Sequence, residues 1–113
     1  MAKLDDYRNY IEEIINWRAE IGYKNYEDLQ MIPVFDRDRD NYLLMVYGWE
    51  GTKRNHYALI HVGIRKPSKF WIYYDGLEDG VATYLLEKGV PKEDIVLAFY
   101  SPEKRKLTEF AVA

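Results

Sequence analysis

Three apolar runs separated by polar reversals constrain this chain more than anything else in it: Tyr42 to Trp49, Tyr57 to Ile64 and Phe70 to Tyr74. Each is short and rich in aromatic and β-branched residues, which suits a strand better than a helix. Gly48, Gly51 and Thr52 mark one reversal and Lys66-Pro67-Ser68-Lys69 the next. A further strand, Leu29 to Phe35, precedes them, and its Pro33 argues for an edge position because proline cannot donate to a ladder. Four strands joined by short turns predict an antiparallel meander. Tyr42 to Trp49 is apolar on both alternating faces, which predicts a central strand covered on each side. In the next strand, alternation puts Ala58, Ile60, Val62 and Ile64 on the core face and Tyr57, Leu59, His61 and Gly63 on the other.

Ahead of the meander, Tyr7, Ile11, Ile14 and Ile15 fall at helical spacing, with Asp5 and Asp6 at the favourable end and Gly22 as the stop. After it, Asp75 and Glu78 stand three apart before Val81, Ala82, Leu85 and Leu86, a capping-box pattern with Asp75 as N-cap and Glu78 at N3. Gly89 ends that helix and Pro91 prevents its resumption. Ile95 to Phe99 reads as a buried strand, and Ser101-Pro102 opens a last short helix. The sequence therefore predicts one α+β domain over residues 1–113: an N-terminal helix, a four-stranded antiparallel meander, a second helix, and a short C-terminal strand and helix. Both main helices are expected on one face of the sheet. The apolar end, Phe110-Ala111-Val112-Ala113, is expected to dock.

Several function classes find no support. Without Cys there is no disulfide framework, thiolate nucleophile or Cys-based zinc site. The N-terminus lacks an apolar signal core and no run is long enough to span a bilayer, so no membrane association and a cytoplasmic location are expected. The net charge is −3, but residues 50–69 carry Lys53, Arg54, Arg65, Lys66 and Lys69 against Glu50 alone. If Asn55 to Arg65 is one strand, these cations sit at rims about 35 Å apart, which does not favour phosphate binding by a clustered patch. His56 and His61, five apart on one strand, should face opposite ways with Cα atoms about 16 Å apart, too far to share a metal. Asp36, Asp38 and Asp40 alternate like a calcium loop but lack its glycine and distant Glu, so a solvated hairpin turn is expected. Neither Ser68 nor Ser101 sits in a nucleophile elbow. Asp75, Glu78 and Asp79 could hold Mg²⁺ for hydrolysis, yet capping accounts for two of the three. No catalytic residue, metal or cofactor is expected.

Aromatic surplus is the more telling feature, with eleven Tyr, three Trp and four Phe. Tyr57, Trp71 and Tyr73, joined by Tyr47 and Trp49, are placed on sheet faces away from the inferred core. Cover by the C-terminal segment, a protein interface, and base stacking are ranked in that order. Tyr57, Trp71, Tyr73 and Phe110 are thus the candidate partner contacts, and Arg54, Arg65, Lys66 and Arg105 the candidate nucleic-acid contacts.

Asp6-Tyr7-Arg8, Asp40-Asn41-Tyr42-Leu43-Leu44, Gly48-Trp49, Phe70-Trp71-Ile72, Asp75-Gly76-Leu77-Glu78 and Gly89-Val90-Pro91-Lys92-Glu93-Asp94-Ile95-Val96-Leu97 occur in an order that resembles the XisI family. Pro102, Arg105, Thr108, Glu109 and the terminal Phe110-Ala111-Val112-Ala113 extend the likeness to nearly the whole length. Leu77 departs from the Thr expected between the acids, and Lys66-Pro67-Ser68-Lys69 from a simpler Gly-containing turn. The resemblance implies an accessory factor controlling site-specific excision of the fdxN element, a DNA rearrangement of cyanobacteria. It further implies an α+β fold and association with a XisH-like protein, itself similar to endonuclease folds, and it transfers no catalytic residue. The expectation is a non-enzymatic factor that acts through protein binding and self-associates as an oligomer, with any DNA association indirect. Direct DNA binding and a metal-dependent hydrolase are the alternatives, in that order.

Overall fold

A computed structural model describes residues 2–23 and 28–113. The N-terminal helix α1 (Ala2–Ile21) is followed by β1 (Leu29–Asp36), β2 (Asn41–Glu50), β3 (Lys53–Arg65) and β4 (Lys69–Asp75). Then come α2 (Val81–Glu87), a single 3₁₀ turn at Lys92–Asp94, β5 (Ile95–Val96) and α3 (Pro102–Arg105). The five strands lie in sequence order, with β1 to β4 antiparallel as expected and β5 added parallel to β4. The fifth strand is shorter than Ile95 to Phe99, because the Ala98 N–H turns back to the Val96 carbonyl and the Phe99 N–H to that of Ile72.

The core forms where helix period meets strand period. Tyr7, Ile11, Ile14 and Ile15 of α1, with Val81 and Leu85 of α2, pack on Tyr42, Leu44, Val46, Ile60, Val62, Ile64, Phe70 and Ile72. Both α1 and α2 thus cover one face of the sheet, while α3 reaches only the β4 margin of the other, where Arg105 stands over Trp71. Along β2 burial alternates strictly from Asn41 to Gly48, so the strand is not sealed on both sides: Leu43, Met45 and Tyr47 are half-buried and Trp49 is exposed. Pro33 does sit in an edge strand. The Trp49 N–H donates to the Asp28 carbonyl, so by antiparallel alternation residues 30, 32 and 34 bond to β2 while the backbone of residue 33 faces outward, where a missing N–H breaks no ladder bond.

Two local corrections follow from backbone chemistry. First, β3 carries a bulge: Leu44 pairs with Ile60 but Met45 with Ala58, leaving Leu59 as the extra residue. Its carbonyl accepts from the Gly76 N–H, and a side chain at 76 would lie 2.6 Å from Leu59 Cδ1. Alternation therefore reverses at the bulge. Ala58 leaves the face of Ile60, Tyr57 joins the helix-covered face opposite Val46, and His56 and His61 share the open face instead of opposing each other. Second, α2 begins at Val81, not directly after Asp75. Asp75 still ties the helix start, since its Oδ1 accepts from the Leu77 N–H and its Oδ2 from the Val81 N–H at 2.7 Å. Glu78 is exposed and takes no part in a cap. The C-terminal end is as expected: Gly89, at φ +93, bonds Leu86 O, and Val90 bonds Leu85 O with both Val90 and Leu85 buried, a Schellman closure.

Candidate protein interface

The face opposite α1 and α2 presents the residues that alternate with the core set. β1 contributes Ile32 and Val34, paired with Met45 and Leu43 of β2; β2 continues to Tyr47 and Trp49. Ile32, Val34 and Trp49 expose 41 %, 45 % and 49 % of their surface, unusual for large apolar side chains brought together on one surface. Across β3 the surface continues through Ala58 and His61. Burial, then the neighbouring Arg65, push the His61 imidazole below its usual range, so it is neutral at pH 7, and its Nε2 lies 3.4 Å from Asn41 Oδ1.

On the β4 side this face is closed by the chain itself. The Ala111 N–H donates to the Ile95 carbonyl and Ala111 bridges to Val96, so the apolar end docks beside β5. Arg105 stands 5.4 Å over the Trp71 ring while its guanidinium donates to the carbonyls of Tyr100, Ala98 and Val112. Trp71 and Tyr73 are half-buried, and Phe110 packs against the core. Tyr57 lies toward the helix side, where its hydroxyl meets that of Tyr23 at 2.9 Å and its pKa is pushed up to about 12 by burial and that contact. The four expected partner contacts are therefore scattered. The contiguous group on the open face is the exposed Ile32, Val34 and Trp49 with the half-buried Met45 and Tyr47 between them, and alternation along β1 is the sequence signal for its β1 half.

Among the expected phosphate contacts, Arg65 donates to Tyr73 Oη, to the Arg39 and Asp40 carbonyls and to Asn41 Oδ1, which ties the β1–β2 turn to β3. With Arg105 likewise engaged, Arg54 and Lys66 remain exposed, one at each end of β3. Arg54 lies over the Trp49 ring at 5.4 Å. The carboxylates fare similarly: Asp75 accepts two backbone N–H groups and Asp79 accepts from Tyr84 Oη. Among the described residues no cluster of three or more His, Cys, Asp or Glu could hold a metal ion. No described helix is long and apolar enough to cross a membrane. A separate groove of about 530 Å³ runs between α1 and α2, lined by Glu13, Ile14, Trp17, Tyr84, Glu87 and Lys88, with the Lys88–Glu13 ion pair across it at 2.6 Å.

No curated protein matches the chain. Among solved structures it is similar to a XisI-like protein from Anabaena variabilis ATCC 29413, at 31 % identity and a TM-score of 0.89, covering 98 % of this chain and 100 % of that one. It is also similar to the fdxN element excision controlling factor XisI of the same strain, at 35 % identity and a TM-score of 0.84, covering 98 % and 99 %. The family model described as XisI protein matches residues 1–112. With that match spanning almost every residue, and a helix-backed five-stranded sheet shared with both structures, the chain belongs to the XisI family.

Proposed function

We propose that this chain is a non-catalytic controlling factor for excision of a DNA element, and that it works by binding a protein partner through the open face of its sheet. The observation that carries this reading is the apolar patch in which exposed Ile32, Val34 and Trp49 flank the half-buried Met45 and Tyr47 on one sheet face. A factor controlling fdxN element excision is what one structural relative is named for, and the partner implied by the family resemblance is a XisH-like protein. The chemistry of the remaining side chains supports the same reading, because, of the acids Asp75, Glu78 and Asp79, the first accepts two backbone N–H groups and the last a tyrosine hydroxyl. Co-expression with a XisH-like protein tests it. Wild-type chain should co-purify with that protein, and Met45→Asp, which places a charge at the centre of the patch, should abolish recovery while leaving the fold intact. Equal recovery of Met45→Asp would overturn the reading.

A further inference from the structure

We propose that the groove between α1 and α2 is a binding site for a small organic ammonium carried on an apolar stem, separate from the open face of the sheet and independent of any partner bound there. The two helices pass each other with their residues in opposite order: Lys88, at the C-cap of α2, meets Tyr10 and Glu13, and Tyr84 meets Trp17. Lys88 shows how this groove holds an ammonium, since its Nζ takes the Glu13 carboxylate at 2.6 Å and stands 5.7 Å over the Tyr10 ring. One turn along, the same combination of carboxylate and ring recurs without a cation. Trp17 and Tyr84 lie 5.1 Å apart between ring centres with their planes inclined at 51°, and Trp17 exposes 44 % of its surface. Glu87 follows Tyr84 by three residues and so neighbours it on α2. It lines the groove with both rings, is exposed, and makes no hydrogen bond or ion pair among the described residues.

Charge sets the sign of the ligand. The lining carries the carboxylates of Glu13 and Glu87 against Lys88, which Glu13 already engages. An added anion therefore meets repulsion, whereas an added cation meets Glu87 and an indole, the aromatic ring that attracts cations most strongly. Ile14 and the two rings supply apolar wall for the stem. Size sets the scale. The groove holds about 530 Å³, within the range of about 300–1,000 Å³ typical of small-ligand sites. A stable protein interface takes about 20–30 residues a side, whereas six line this groove and its α2 wall is seven residues long, about 10 Å. That is too little surface to hold a folded protein by itself, foreign or a second copy, and enough for a chain of a few carbons ending in an amine.

The test titrates putrescine into isotopically labelled full-length chain and follows the Trp17 indole N–H and the backbone N–H groups of Tyr84 and Glu87 by NMR, with butanol and succinate as uncharged and anionic probes of similar length. Saturable shifts at the groove with putrescine, and none with butanol or succinate, are the expected result. Glu87→Gln and Trp17→Leu should each weaken binding about two- to fivefold. Lys88→Met, which releases Glu13, should tighten it, and Lys92→Met, which removes an equal charge from the Lys92–Glu109 pair, should not. Thermal midpoints of the variants serve as fold control. No saturable shift, shifts spread over the acidic surface at large, equal binding of butanol, or Lys88→Met that binds no tighter than wild type overturns the proposal. A dimer in sedimentation that Trp17→Leu dissociates assigns the groove to a second copy and overturns it as well. None of these failures touches the reading of the open face, whose test is the Met45→Asp co-purification.

Discussion

Asp94 shows how one residue ties the first helix to the last third of the chain. Its carboxyl is buried, with Tyr7 Oη donating at 2.6 Å and Lys3 Nζ at 2.9 Å, and the Tyr7 ring stacks on Phe70 at 4.7 Å. Burial raises the Asp94 pKa, but the hydrogen bonds from Tyr7 and Lys3 outweigh it and leave the group below its usual range. A depressed folded-state pKa stabilises the fold above the unfolded value of about 3.9, and that stability is lost as pH falls through the lower folded value. Asp94→Asn should therefore flatten the acid limb of a stability profile and cost about 1–3 kcal/mol at pH 7, both read from urea titrations. His61 acts at a higher pH. Because burial and Arg65 lower its folded pKa, the native state resists protonation, so stability should fall as pH drops below the unfolded value of about 6.5 and level off below the folded one. His61→Gln should remove that slope, and an unchanged slope would contradict this account of the site.

At the scale of elements, Asp75 and Glu78 give the sharpest comparison. Asp75→Ala should cost about 0.5–2 kcal/mol, because the Val81 and Leu77 N–H groups lose their acceptor, whereas Glu78→Ala should stay within about 0.5 kcal/mol. A true capping box would make both costly, so the pair of chemical denaturations separates the two geometries. Gly48→Ala should be harsher, costing more than about 1 kcal/mol: Gly48 has φ +138, and an added Cβ would lie 2.0 Å from the Asp28 carbonyl oxygen. Much of this layout was legible in the residues. Helical spacing in α1, Pro33 at an edge, Gly89 at a helix end and Ser101-Pro102 at a helix start each follow from a local preference that the tertiary structure respects. The Leu59 bulge was not legible, because nothing in Tyr57 to Ile64 breaks the alternation; its cause is Gly76, seventeen positions on, which leaves room for Leu59. From that one extra residue came the misplacement of Tyr57, Ala58 and the histidine pair. The delayed start of α2 has a similar origin, since a six-residue span from Asp75 to Val81 mimics in space the three-residue span that the sequence suggested.

For the whole molecule, the question is which surface remains for a partner. Edge pairing is blunted on both sides: Pro33 interrupts the outward donors of β1, and the Ala111 segment lies along β5. One face of the sheet is filled by α1 and α2, and the Trp71 side of the other is covered by Arg105 and the tail. What is left is the patch around Met45 and Trp49, which the sequence half revealed: Trp49 stands out as an aromatic, while Leu29 to Phe35 reads only as an edge strand, with neither of its faces assigned to the core or to solvent. The α1–α2 groove, with Trp17 exposed beside Tyr84 at 5.1 Å between ring centres, is the competing surface. Oxidative footprinting of side chains, with and without a XisH-like protein, separates the two most directly. Protection of Met45 and Trp49 with Trp17 and Tyr84 unchanged is the predicted result, and protection of Trp17 and Tyr84 with Met45 and Trp49 still fully labelled would contradict it.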